Sequence, residues 1–330
     1  MTAPMQPAQL SYAQAAADAL ALAMEADPRI VALGEDLGRG GVFGQYRGLP
    51  QRFGPQRVID TPISEAAIMG VAVGMALVGQ RPVVELRVAD FALCAMDEIV
   101  NQAAKARYMF GGQGRVPVVI RMPIGLWSAS AAQHSQSFEA WYAHVPGLVV
   151  LCPATPADNH GLLLAALDGD DPVAYLEHKE LWAQTGPVEP GRRVPIGRAE
   201  VVRAGRDVCI VTWSKMRHSA LAAADTLAAQ HGIEAEVIDL RSLWPWDRDA
   251  VFASAARCGR LLVVHEAVQA GGFGAEVAAS VAEAVGVPVA RLGAPRVPVG
   301  YAQALENVAR IGADRIVARV RGLLDHKKSS

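Results

Sequence analysis

No GxGxxG fingerprint and no GxxxxGK[ST] loop occurs anywhere in the 330 residues, so neither a dinucleotide-binding turn nor a P-loop is supported. There is no CxxC pair. Cys94, Cys152, Cys209 and Cys258 stand far apart, which indicates neither a zinc site nor a disulfide framework. Isolated cysteines in apolar elements are usually reduced core residues. HExxH is missing, as is a GxSxG elbow, and with them the usual metalloprotease and α/β-hydrolase signatures. Charge of one sign is not in excess. A formal net charge of −2 gives no electrostatic case for nucleic acid or an anionic membrane. No apolar run reaches membrane-spanning length. Met1 to Leu10 has no basic stretch leading into an apolar one, hence no secretory or Arg-rich targeting signal. The expectation is a soluble, cytoplasmic protein that binds small molecules.

What is present is length and alternation. At 330 residues the chain is long for one core, so two domains are expected. Short apolar runs such as Ile30–Leu33, Val116–Arg121 and Val173–Leu176 alternate with helical stretches such as Ser11–Glu25, with Ser11 as its cap, and Asn159–Leu167. Continuous apolar strands alternating with helices predict parallel sheets covered on both faces. Gly186 to Arg198 then carries three prolines, three glycines and three arginines without period, and reads as a linker. The alternation resumes with Cys209–Thr212, Ser219–Gln230, Ala235–Asp239 and Leu261–His265, and closes on a helix over Ala313–Leu324 and a frayed tail. The predicted architecture is α/β, with two doubly wound domains over 1–185 and 199–330 and a linker over 186–198.

Chemistry concentrates in a few places. In Asp60-Thr61-Pro62-Ile63-Ser64-Glu65 a short strand ends, the proline breaks it, and Ser64 or Thr61 can cap a helix of small and apolar residues. Glu65 at its start is either a capping acid or an acid that hands a proton to a buried ligand. Desolvation would raise its pKa, while the helix N-terminus favours the charged form. Gly34-Glu35-Asp36-Leu37-Gly38-Arg39-Gly40-Gly41 follows a strand, the edge at which ligands collect in open parallel sheets, and reads equally as a binding loop or as a loop that needs positive φ. Asp90 reads as the cap of a helix over Ala92–Arg107, and Phe91 beside it is either core or a platform for a flat heterocycle. His134, flanked by Gln133 and Ser135, follows a strand-end loop. His265-Glu266 with Gly271-Gly272-Phe273-Gly274 forms a glycine-rich corner that reads first as structure or interface. A carboxylate, a histidine and an aromatic with no nucleophile motif suggest chemistry carried by a bound cofactor.

Asp60-Thr61-Pro62-Ile63-Ser64-Glu65, Asn101-Gln102-Ala103-Ala104-Lys105 with Arg107-Tyr108-Met109, Gln133-His134-Ser135-Gln136-Ser137, Pro146-Gly147-Leu148 and Val264-His265-Glu266 with Gly271-Gly272-Phe273-Gly274-Ala275-Glu276 form one ordered pattern. It resembles the beta subunit of the thiamine-diphosphate-dependent component of 2-oxoacid dehydrogenase complexes, a group that includes the pyruvate, branched-chain and acetoin enzymes. The resemblance spans about Ser11 to Leu324. It implies an N-terminal transketolase-like pyrimidine-binding domain and a C-terminal transketolase domain. It also implies a heterotetramer of two alpha and two beta chains, with thiamine diphosphate held between an alpha and a beta chain. The alpha chain would supply the GDG…N motif that holds magnesium and the diphosphate. That motif is missing here, as expected of a beta chain that is inactive alone. Glu65 would bond a pyrimidine ring nitrogen and favour the imino tautomer that deprotonates the thiazolium carbon. Such acid–base help is worth roughly 10²–10⁴ in rate. Phe91 would stack on the pyrimidine, Ile63 would pack under the cofactor, and His134 would orient substrate and assist acyl transfer to lipoamide. A structural potassium site is implied at Val118, Ala166, Leu167, Gly169 and Asp171, mostly through carbonyl oxygens.

The implied activity is decarboxylation of a 2-oxoacid (pyruvate or branched-chain) and transfer of the acyl group to the lipoamide of a dihydrolipoamide acyltransferase core. The alternative is cleavage of acetoin to acetaldehyde and an acetyl group, which Tyr108-Met109-Phe110-Gly111-Gly112 and Glu177-His178-Lys179 resemble most. A non-catalytic scaffold or docking subunit is the alternative of another class, and intact Glu65, Phe91 and His134 argue against it. The loop before His134 departs from the pattern. Where relatives carry more glycine it reads Gly125-Leu126-Trp127-Ser128-Ala129-Ser130-Ala131-Ala132, so Leu126 and Trp127 either reshape the pocket or face a partner chain.

Overall fold

The computed structural model describes residues 7–325, so the tail from His326 to Ser330 lies outside the described residues. The chain divides into two compact units. One holds the chain up to Ile124 together with Trp141–Ile196; the other holds Gly125–Ala140 and the chain from Gly197 onward. The 125–140 segment therefore leaves the first half of the sequence to join the second unit.

The first half contains β1 (Ala8–Ser11), α1 (Tyr12–Ala26), β2 (Ile30–Gly34), α2 (Leu49–Phe53), β3 (Val58–Asp60), α3 (Glu65–Leu77), β4 (Arg81–Glu85), α4 (Ala104–Met109), β5 (Val119–Ile124), α5 (Glu139–Ala143), β6 (Val149–Leu151), α6 (Pro156–Asp168), β7 (Val173–His178) and β8 (Thr185–Val188). Six of these strands lie side by side, all parallel, in the order β6-β7-β5-β4-β2-β3. β2, β4, β5 and β7 are buried along their whole length, which accounts for their largely apolar character, with Arg81, Glu85, Arg121 and Glu177 as buried charged residues among them. Ser11 caps α1 in a reciprocal capping box. Its hydroxyl accepts the Gln14 N–H, and the Gln14 side chain accepts the Ser11 N–H. Leu20, Met24, Leu162, Leu163 and Tyr175 are among the residues of the core under α1 and α6. The 186–198 segment is tied down in the same unit up to Ile196. Its first residues belong to β8, paired antiparallel with β1, and Val194 and Ile196 pack on the core.

The single helix expected over Ala92–Arg107 is three windings: a 3₁₀ stretch at Phe91–Ala95, a π stretch at Glu98–Ala103, then α4. Composition does not distinguish these windings, because all three place side chains at near-helical spacing.

The second unit adds β9 (Glu200–Arg203), β10 (Val208–Thr212), α7 (Met216–His231), β11 (Ala235–Asp239), β12 (Ser242–Trp244), α8 (Arg248–Cys258), β13 (Leu261–Val268), α9 (Gly274–Ala284), β14 (Val289–Ala294), α10 (Gln303–Ala309) and α11 (Ala313–Asp325). Its sheet has the order β14-β13-β10-β11-β9, parallel except for the edge strand β9. α7 and α11 cover one face with Ala220, Leu227, Ile316 and Val320. No described helix is long and apolar enough to cross a membrane.

Candidate active site

Three neighbouring parallel strands, β3, β2 and β4, deliver the first-unit site residues at their carboxyl ends, where an open parallel sheet gathers ligands. Past β2 stands Glu35, past β3 come Ile63 and Glu65, and past β4 comes Phe91. Gly34 ends β2 at φ +152°, and a Cβ there would lie 2.4 Å from the Glu85 carbonyl oxygen of β4. Only glycine lets the two strand ends approach so closely. The Thr61 N–H donates to the Gly34 carbonyl at 3.0 Å, and the Leu37 N–H donates to Asp60 Oδ1 at 2.9 Å. These bonds fix the chain that leads into α3.

Glu65 is the first residue of α3 and is half-buried. Ser64 is the N-cap by position, but its side chain makes no capping bond. The apolar helix is not fully sunk: Val71, Leu77 and Val78 are exposed on one side. Ile63 stands out at 78% exposure, available as an apolar contact. Phe91 is half-buried, and its N–H donates to the Val88 carbonyl at 3.0 Å in a tight turn. Asp90 makes no side-chain capping bond, contrary to the expectation; its backbone is already helical. An N-cap normally has extended backbone, which is what aims its side chain at the free N–H groups.

Glu35 was not singled out from sequence, where it is one acid in a glycine-rich loop. It is 6% exposed, and its Oε1 has no hydrogen-bond partner among the described residues. Burial pushes its carboxyl up; the facing Glu65 adds to this, while Arg87 opposes it. A buried acid with an open oxygen, beside a second acid and an exposed isoleucine, suits a flat, nitrogen-bearing heterocycle with an apolar face.

Behind this edge lies a buried polar network that sequence reasoning also missed. Arg121 and Glu177, both fully buried, form a two-pronged pair at 2.9 and 2.7 Å. Glu85, next to Arg121 in strand register, accepts from Gln45 Nε2 at 3.0 Å. Burial pushes the Glu85 carboxyl up to about 7; Arg121 pulls against this and Glu177 adds to it. Tyr46 lies under the Arg121 guanidinium, 4.9 Å from it to the ring centroid. Arg121 sits in an apolar-looking run, so nothing in the sequence marks its partner.

His134 belongs to the second unit, at the end of a 3₁₀ turn, and is exposed. Its loop is closed at the base by the Gly125 N–H donating to the Gln136 carbonyl at 3.3 Å. Leu126 is buried against Ala294 and Ala309, whereas Trp127 is 41% exposed. In the same unit His265 is fully buried and stacked on Trp213, 5.3 Å between centroids. Burial lowers its pKa to about 4, so the ring is neutral at pH 7. Gly272 and Gly274 pack against the ring so closely that a Cβ on either would come within 2.6 Å of it. The glycine-rich corner is thus a cradle for a structural histidine.

At the implied potassium site, the Leu167 and Gly169 carbonyls both accept from the Arg81 guanidinium. The Val118 carbonyl accepts the Val173 N–H at 2.9 Å, and the Ala166 carbonyl the Gly169 N–H at 3.2 Å. The Asp171 carboxylate bonds Arg107. Carbonyls at the C-terminal end of α6 attract a cation, and Arg81 already supplies one.

Residues 8–184 match the family described as "Transketolase, pyrimidine binding domain", and residues 197–316 match "Transketolase, C-terminal domain". A solved split-gene transketolase, described as an inactive beta4 tetramer, superposes with a TM-score of 0.77 at 27% identity, covering 96% of this chain and 98% of that one. The two domain matches and the fold together define a transketolase-type α/β protein. Similarity to curated proteins narrows this. The beta subunit of acetoin:2,6-dichlorophenolindophenol oxidoreductase from Cupriavidus necator is 42% identical over 95% of this chain and 97% of its own length. The pyruvate dehydrogenase E1 component subunit beta-2 of Oryza sativa is 43% identical over 94% of this chain and 85% of its own. The chain belongs to the beta-subunit family of the thiamine-diphosphate-dependent 2-oxoacid and acetoin dehydrogenases.

Proposed function

We propose that this chain is the beta half of a two-chain dehydrogenase site that decarboxylates a 2-oxoacid, pyruvate or a branched-chain acid, and passes the acyl group to lipoamide. One observation carries the reading: Glu65 opens α3 at the strand edge, close enough to the buried Glu35 to raise its pKa, and Glu35 Oε1 is buried with no hydrogen-bond partner among the described residues. Thiamine diphosphate, when bound, supplies the carbon nucleophile. Glu65 holds a proton at the heterocycle's ring nitrogen, and the buried Glu35 beside it disfavours both acids being charged at once. Ile63 and Phe91 hold the ring by its apolar faces. His134 orients the substrate oxygen and carries a proton during transfer to the lipoyl acceptor. An alpha chain brings the magnesium and the diphosphate clamp, and a dihydrolipoamide acyltransferase core takes the product. The name of the split transketolase, an inactive assembly of beta chains, accords with a beta chain that needs an alpha chain. Potassium at Val118, Ala166, Leu167, Gly169 and Asp171 is proposed as a structural ion, with Arg81 competing for the Leu167 and Gly169 carbonyls.

Acetoin cleavage is the second reading, supported by the 42% identity to the acetoin enzyme's beta subunit over nearly its whole length. Pyruvate and acetoin relatives are equally similar, so identity does not choose between them. The test is co-expression with the neighbouring alpha-type chain, followed by measurement of carbon dioxide or acetaldehyde released from pyruvate, branched-chain 2-oxoacids and acetoin. Carbon dioxide from a 2-oxoacid is expected. Acetaldehyde alone would select the second reading, and no product from any of them would overturn both.

A further inference from the structure

The loop that carries His134 is built against its own backbone preference. Ser128 (φ 51°), Ala129 (φ 54°) and Ala131 (φ 68°) all lie in the left-handed region, where side-chain-bearing residues are strained. Relaxed glycines would hold this path without help; two alanines and a serine need outside restraint. Two carboxylates from other elements of the same unit supply it. Glu266, on β13, accepts the Leu126 N–H at 2.7 Å. Glu306, on α10 and fully buried, accepts the Ala129 N–H through Oε2, also at 2.7 Å. Both are short, charge-assisted bonds to backbone. Glu306 is itself held: its Oε1 accepts from Arg310 at 2.6 Å and from Gln303 at 3.2 Å. Leu126 anchors the loop's first turn in the apolar cluster with Ala294 and Ala309. Beyond these anchors the loop closes on itself, the Ser130 and Ser135 hydroxyls standing 3.2 Å apart on either side of His134's turn.

We propose that Glu266 and Glu306 are positioning residues that clamp a strained loop through the Leu126 and Ala129 N–H groups and thereby fix where His134 presents its imidazole. The proposal rests on the reading of His134 as an active-site group. The clamp itself does not depend on that reading. Without Glu306 the Ala129 N–H loses its acceptor, and the residue is free to return to negative φ. His134, five residues further on, then samples several positions instead of one.

The test uses the protein assembled with its alpha chain and compares Glu306→Ala, Glu306→Gln and Glu266→Gln with wild type and His134→Ala. Amide hydrogen exchange over residues 126–134 is read first. Loss of a charged-acceptor bond is expected to speed it about tenfold or more in Glu306→Ala. Glu306→Gln keeps an acceptor and Arg310's partner, so it should fold and restore most of the protection. The second readout is the ratio of turnover with a lipoyl acceptor to turnover with 2,6-dichlorophenolindophenol. A general loss of structure lowers both equally, whereas a misplaced His134 lowers the lipoyl reaction more. Glu306→Ala should depress that ratio about tenfold, with the substrate KM little changed. Unchanged exchange in Glu306→Ala, or an unchanged ratio where His134→Ala lowers it, would overturn the positioning role. A His134→Ala protein with full lipoyl turnover would instead remove the reading of His134, while the exchange arm still decides the clamp.

Discussion

The indole N–H of Trp213 donates to Glu139 Oε1 at 3.2 Å in a site from which water is excluded, since Trp213 is 2% and Glu139 1% exposed. Glu139 begins α5, directly after the loop of His134, and burial pushes its carboxyl up to about 7 against the lowering by its own backbone bond and by Trp213. One neutral donor does not replace the hydration of a carboxylate, so the group holds its proton to higher pH in the folded protein than in the unfolded chain. The fold thus places an acid of raised pKa five residues after His134.

A stability change with pH follows. The folded pKa of Glu139 is raised, so the unfolded chain releases this proton first. Its favourable contribution is complete below about 4.5 and is lost as pH rises to about 7. The span is of order 3 kcal/mol. Glu85 behaves alike in the first unit. Glu139→Gln should flatten the fall in unfolding free energy between pH 5 and 8, measured by urea titration at several pH values. A variant as steep as wild type would show that Glu139 is already ionised when folded.

Glu65→Gln tests the proton role. Glutamine keeps the size and an acceptor but cannot share a carboxyl proton. Turnover with the alpha chain present should fall roughly 10²–10⁴-fold. With Glu65 neutralised, Glu35 loses the charge that faces it, so its own pKa should drop. A pH–rate profile of Glu35→Gln with an unaltered acid limb would separate Glu35 from the reaction.

The fold was largely legible because its signals are local. Ser11 and Gln14 are three residues apart and cap one another; β2, β5 and β7 are apolar runs because both sheet faces are covered. What was illegible depends on partners distant in sequence. Glu35 stands out only through its burial and the nearby charge of Glu65, thirty positions on; Arg121 donates its two-pronged bond to Glu177, fifty-six positions on. The capping role given to Asp90 failed because residue type suggests a cap while backbone angles decide it. Leu126, open between pocket and partner in the sequence, turned out to be a core residue, and that choice is made by α10 and β14.

The Arg121–Glu177 pair yields a stability prediction. Both groups are fully buried, and Asn159 Nδ2 also donates to Glu177, at 3.0 Å. Removing one charge strands the other, so Glu177→Gln should cost about 3–5 kcal/mol, read as a lower denaturation midpoint. Replacing both in Arg121→Met/Glu177→Leu should recover part of that loss, since apolar residues need no counter-charge. A double variant as unstable as the single one would mean that Glu85 and Asn159, left behind, dominate the cost.

Potassium is the last point at issue, because Arg81 already occupies part of the donor set. A carbonyl oxygen has two lone pairs: the Leu167 oxygen already accepts two Arg81 N–H groups, whereas the Gly169 oxygen accepts one from Arg81 and can still face an ion. An ion bound only by the folded state stabilises by RT ln(1 + [K⁺]/Kd), about 2.7 kcal/mol at a hundred times Kd. For a protein of this size that is a rise of several degrees in the thermal midpoint. The midpoint in potassium chloride should exceed that in choline chloride of equal ionic strength, with sodium chloride between them. Arg81→Lys trades a forked donor for a point charge, so its dependence on potassium should be steeper. Equal midpoints in all three salts would mean that the guanidinium alone balances the end of α6, and the potassium site would fall.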